Sequence, residues 1–94
     1  MIIPSEETIS RMLKSADWRD RFVGEFWETK LRYERLHNMI IKREAEKLDF
    51  QPGSPMEVWK AQAAAMGNYL YQLEVRSEYE EIDLFLYVPS SQCD

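Results

Sequence analysis

Residues 18–47, WRDRFVGEFWETKLRYERLHNMIIKREAEK, decide the fold. Within them Trp18, Phe22, Phe26, Thr29, Tyr33, Leu36 and Ile40 recur in steps of four and three, with no proline to interrupt. That spacing predicts one long amphipathic helix of roughly 45 Å at 1.5 Å per residue. Gly24 weakens such a helix by about 1 kcal/mol relative to alanine, so a tertiary contact must offset it. Trp27 and Leu31 lie on another side of the same helix, which therefore carries two apolar faces. A monomeric helical pair covers only the first face, and the second points to self-association.

Working outward, residues 5–15 read as a short helix. Ser5 is placed to cap it, Glu6 and Glu7 sit in its first turn, and Ile9, Met12 and Leu13 follow at helical spacing. Asp17 caps the start of the long helix, with Asp20 three residues on. On the far side, Pro52 and Gly53 mark a turn in a connection short enough to make the flanking helices antiparallel neighbours. Ser54, Pro55 and Glu57 spell a second helix start, with serine as N-cap and proline in the first helical position. This helix, residues 55–78, places Met56, Trp59, Ala63, Met66, Leu70 and Leu73 on one stripe, while Tyr69, Tyr71 and Val75 widen its apolar arc. The arm that follows, residues 79–94, contains IDLFLYV at 82–88, which suits either a prolonged helix or an extended segment, and Pro89 ends both. The expected fold is a single all-α domain over residues 1–94. It consists of an antiparallel long-helix hairpin with a short N-terminal helix, assembling into an oligomeric helical bundle.

The chain has 94 residues and a net charge of −5. So short a domain buries only about 60–65% of the surface its unfolded form exposes, which disfavours a private deep cleft. Cys93 is the single cysteine, so disulfides cannot supplement the core, and it reads as a bystander rather than a nucleophile. No apolar run is long enough to span a bilayer, and residues 1–4 lack the pattern of a signal peptide, so a soluble intracellular protein is expected with no membrane partner. The global acidity disfavours binding to DNA, and no specific DNA binding is expected.

The charge is unevenly placed. Residues 18–47 hold eight basic against six acidic side chains, a balance of about +2, whereas residues 48–94 hold two against eight, about −6. The first long helix is thus the candidate anion surface. Trp18 opens it beside Arg19 and Arg21, and Lys30, Arg32 and Arg35 are interleaved with Tyr33 and His37. Aromatic faces stack on bases and cations pair with phosphate, so this pattern suits a nucleotide. Equally, Lys30 with Glu34 and Arg32 with Glu28 stand at the four-residue spacing of ordinary helical ion pairs. His37, the sole histidine, reads as structural or surface-exposed. No phosphate loop, nucleophile elbow or metal-ligand spacing occurs, so neither enzyme nor cofactor is expected.

Two runs of residues carry a resemblance. Trp18, Arg19, Asp20, Arg21, Phe22, Val23, Glu25 and Phe26, with Arg32, Arg35, Leu36, Met39 and Ile40, resemble the first long helix of a family of small phage-encoded helical proteins that includes the anti-CBASS cyclic-oligonucleotide sponge. Gln62, Ala65, Met66, Tyr69, Leu70, Leu73, Glu74 and Arg76 are similar to the recurring pattern of its second helix. The resemblance implies a hexameric homo-oligomer in the host cytoplasm that sequesters cyclic oligonucleotides without cleaving them and so evades immunity. Cyclic dinucleotides would lie between protomers, with cyclic trinucleotides in separate sites. By position, Trp18 would be the stacking aromatic and Arg32 or Arg35 the phosphate partner, with Lys30 a further candidate. Trp27, Leu31, Tyr71 and Val75 would serve the oligomer interface. The assignment of Trp18 and an arginine departs from the family's usual Tyr and Lys, and Thr29 stands where an aliphatic residue is usual. Outside that family, the second apolar face and the arm would suit a helical adaptor or inhibitor gripping a host protein, and a virion assembly role is a third reading.

Overall fold

Ser5 starts the first helix as its spacing predicts, its hydroxyl accepting from the Thr8 amide at 3.1 Å. In the computed structural model, which describes residues 3–90, that helix is α1 (Glu6–Leu13), followed by α2 (Trp18–Glu44) and α3 (Met56–Tyr79). No strand occurs among the described residues, so the protein is all-helical there. Cys93 and the last residues of the expected arm lie outside them.

Asp17 caps α2 by accepting from the Arg19 amide at 3.0 Å. The helix stops at Glu44, short of the expected Lys47, although nothing in Ala45–Glu46–Lys47 spells a stop. Glu46 adopts a left-handed φ of 59°, and the Glu46 and Lys47 amides return to the carbonyls of Arg43 and Lys42. This is the Schellman closure usually made by glycine. Helix α3 ends the same way, with Glu81 at φ 57° and the Ile82 amide donating to the Ser77 carbonyl at 3.0 Å.

The start of α3 differs from the expected capping box. Pro55 itself is the N-cap, with no side-chain cap bond. Ser54 sits one residue too early to cap, and its carbonyl accepts instead from Arg43 Nη1 at 2.9 Å, tying the connection to the end of α2. Contacts between the two long helices run in opposite order along them: the Arg76 guanidinium lies 4.7 Å from the Phe22 ring, Tyr69 donates to Glu25, Gly67 abuts Tyr33, and Lys60 pairs with Glu44.

After Glu81 the chain neither prolongs the helix nor forms a strand. The Schellman closure turns it back, and Asp83 Oδ1 accepts from the Phe85 and Leu86 amides to hold a tight turn. This arm covers the second apolar face of α2. Trp27 is 2% exposed, its indole N–H donates to the Leu84 carbonyl at 3.1 Å, and Phe85 meets Phe26 and Trp27 edge-on at 5.7 and 5.8 Å. Trp27 is therefore an internal side chain of one protomer and not the assembly surface its helical position suggested. The arc unmatched by α3 is occupied by the chain's own ends: Ile9 and Met12 of α1 join Phe22, Val23, Phe26, Trp27, Leu70, Leu73, Ile82 and Leu84 in one core. Leu31 is half-buried against that core. Tyr71, at 61% exposed, and Val75 remain on the outside of α3.

Gly24 has the tertiary reason its helix position demanded. A Cβ there would stand 3.0 Å from Met12 Cβ and 3.3 Å from the Leu13 amide nitrogen, so α1 crosses α2 over the missing side chain. Gly24→Ala gains about 1 kcal/mol of helix propensity but meets an overpacking cost of about 1–3 kcal/mol. Neither neighbouring atom is the free end of a flexible chain, so the variant is expected to be less stable by about 1 kcal/mol in urea unfolding. A variant at least as stable as the parent would show that α1 shifts freely.

A basic groove between the long helices

The i,i+3 spacing of Arg32 and Arg35 puts both on one side of α2, and the structure places that side along an open groove of about 670 Å³ between α2 and α3. Leu36, Met39 and Met66 contribute apolar surface, and Trp59 and Gln62 come from α3. Arg32 pairs with Glu28 at 2.6 Å. Arg35 is exposed and makes no ion pair or hydrogen bond among the described residues. On the other flank, Arg32 and Arg35 also border a smaller concavity of about 250 Å³ shared with Glu6, Ile9, Glu28 and Leu31, so half-buried Leu31 lines this concavity beside Ile9 of α1.

Trp59 was assigned by periodicity to the core stripe of α3. It is half-buried instead, with the Arg43 guanidinium 4.8 Å from its ring centroid and Phe50 6.5 Å away. The missed signal is register: with Glu44 opposite Lys60, a tryptophan at 59 must lie near the end of α2 and beside its arginines.

The sequence-selected residues are only partly gathered. Trp18, 40% exposed, lies 6.5 Å from Phe22 and 5.8 Å from the Arg19 guanidinium. At 1.5 Å per residue it stands about 21 Å along α2 from Arg32 and about 26 Å from Arg35, too far to share one small ligand within a chain. Lys30 pairs with Glu34 at 3.5 Å and projects from another side of the helix, roughly 140–160° away from the two arginines. His37 stacks on Tyr33 at 5.9 Å. At the other end of the groove side, Tyr69 donates to the Glu25 carboxylate; that bond, with burial and the nearby charge, pushes its phenol up.

The most buried ionisable group lies elsewhere, at Asp20, which the sequence marks only as the acid three residues after the Asp17 cap. Asp20 is fully buried and accepts from Ser15 Oγ at 2.7 Å, from the Tyr87 hydroxyl at 2.6 Å, and from the Ser90 amide and hydroxyl at 3.1 and 2.8 Å. Burial pushes its carboxyl up, but the hydrogen bonds from Tyr87, Ser15 and Ser90 prevail and hold it at about 2, against an ordinary 3.8. Tyr87 is pushed up by burial and by the same bond. Position 20 is also in the first turn of α2, where the helix dipole favours an anion. The cluster fastens the arm to the α1–α2 junction. No group of three or more His, Cys, Asp or Glu able to hold a metal occurs among the described residues, and no helix there is long and apolar enough to cross a membrane.

A long two-helix pair, a short helix laid across a glycine and a cation-edged groove describe a small all-helical protein. The Sequestin family model matches residues 16–79, and the chain belongs to that family. The match spans the residues on which the phage-family resemblance rests, and it marks a sequestering protein. No curated protein and no solved structure matches the chain.

Because the Asp20 carboxyl is lowered in the folded state, its contribution is complete above about pH 3.8 and is lost as pH falls through about 2. The shift corresponds to about 2 kcal/mol. Asp20→Asn is expected to lose about that much stability at neutral pH. Urea unfolding at stepped pH should show the gap to the parent protein closing between about pH 4 and pH 2, whereas a pH-independent gap would place the loss outside this ionisation.

Proposed function

We propose that this protein is a phage-encoded immune-evasion factor that sequesters cyclic oligonucleotide second messengers in the host cytoplasm without cleaving them. Membership of the Sequestin family over residues 16–79 is the observation that carries this reading. The groove supports it chemically, because capture requires a prepared cationic and aromatic surface and no bond-breaking group. The distance between Trp18 and the Arg32–Arg35 pair supports assembly as well. A ligand touching both must take them from different copies, which agrees with a homo-oligomer, a hexamer by resemblance, holding cyclic dinucleotides between protomers. Tyr71 and Val75, exposed on α3 with Tyr79, are the apolar residues assigned to contacts between copies. The competing adaptor reading relied on Trp27 and the arm as free gripping surface, and both are engaged in the protomer core.

Calorimetric titration with a panel of cyclic di- and trinucleotides should give binding at micromolar concentration, with the ligand recovered intact by chromatography. Arg32→Ala and Arg35→Ala should each weaken the complex by about 1.5–3 kcal/mol if the arginine meets phosphate. Native mass spectrometry should show an oligomer. Absence of heat across the whole panel, or degradation of the bound nucleotide, would overturn the assignment.

A further inference from the structure

Nothing in the sequestering reading requires Trp59, yet Trp59 is the aromatic that shares a groove with Arg32 and Arg35. Its ring is already held, with the Arg43 guanidinium 4.8 Å from its centroid and Phe50 beside it. Arg43 is itself anchored by its bond to the Ser54 carbonyl. An aromatic fixed before binding loses little conformational freedom when a second ring stacks on it. Arg35 stands exposed on the facing helix with no ion pair or hydrogen bond among the described residues, in a protein of net charge −5. One turn along α3 from Trp59, Gln62 offers an amide able both to donate and to accept. Leu36 and Met66 supply apolar surface to the same groove. The volume of about 670 Å³ falls in the range of small-molecule sites.

The geometry points to a nucleotide subsite complete within a single chain. It takes one nucleobase against Trp59, the phosphate attached to that nucleoside on Arg35 with Arg32 beside it, and the base edge on Gln62. It draws on the same two arginines as a site shared between copies, but takes its aromatic, Trp59, from the same chain in place of Trp18 from another. Only the extension from one nucleotide to a cyclic oligonucleotide rests on the sequestering reading.

The test uses the full chain labelled with ¹⁵N and adenosine 5′-monophosphate as probe, with adenosine and ribose 5-phosphate as controls lacking the phosphate or the base. The Trp59 indole N–H resonance is expected to move on titration to millimolar nucleotide while that of Trp27, bonded to Leu84, stays fixed. Each control should bind more weakly than the intact nucleotide. Arg35→Ala removes an exposed side chain, leaves the fold intact, and is expected to weaken the nucleotide at least about tenfold. An unmoved Trp59 resonance, or an Arg35→Ala variant that binds as well as the parent, overturns the subsite. If the mononucleotide also leaves Trp59 unmoved, cyclic oligonucleotides that bind tightly overturn the subsite and leave sequestration standing. The mononucleotide moving Trp59 while no cyclic oligonucleotide binds upholds the subsite and removes sequestration.

Discussion

The indole N–H of Trp27 donates to the carbonyl of Leu84, and much of the architecture is arranged around that bond. A buried indole N–H left without an acceptor would cost about 1–3 kcal/mol. Helix α3 lies on another face of α2 and does not supply that acceptor. The chain meets the demand by ending α3 with a left-handed Glu81 and doubling back, so that a turn at residues 83–86 delivers both the carbonyl and the Phe85 ring. The return path is fastened at its far end by Tyr87 and Ser90 on Asp20, while α1 closes the remaining side over Gly24. One side chain on one helix thus recruits both ends of the chain into its protection.

The helices were legible because their starts are written locally. Ser5 and Asp17 bond the amides that their positions predict, and the four-and-three stripe gives α2 its course. Their ends were less legible, since Glu46 and Glu81 take a backbone conformation that composition assigns to glycine. Pro55 displaced Ser54 from the cap because position 54 was drawn into the Arg43 contact, a relation eleven residues long. The second apolar face of α2 was visible in the spacing, but periodicity reports that a face is covered and not by what. A partner chain and a folded-back arm predict the same pattern of hydrophobic residues, and residues 82–88 have no period that would separate the two.

The candidate site was legible in its cations and not in its aromatic. Arg32 and Arg35 share a face by spacing alone, whereas Trp59 joins them only through the register of two helices, which no local motif encodes. Trp18 attracted attention because it is near basic residues in sequence, yet distance along a rigid helix separates it from Arg35 more effectively than a loop would. Asp20 shows the same limit from the other side: its partners at positions 87 and 90 turn an ordinary first-turn carboxylate into a buried anchor. Of the two arginines, Arg32 is bonded to Glu28, whereas Arg35 makes no ion pair among the described residues.

The acceptor for Trp27 is a main-chain carbonyl, a group that every residue type carries. The strap's path carries the indole bond, while the side chains of Ile82, Leu84, Phe85 and Tyr87 hold that path in place. Leu86 and Val88, both exposed, can drift without releasing the indole, provided the turn survives. The Sequestin match ends at residue 79, short of the carbonyl on which the central tryptophan depends.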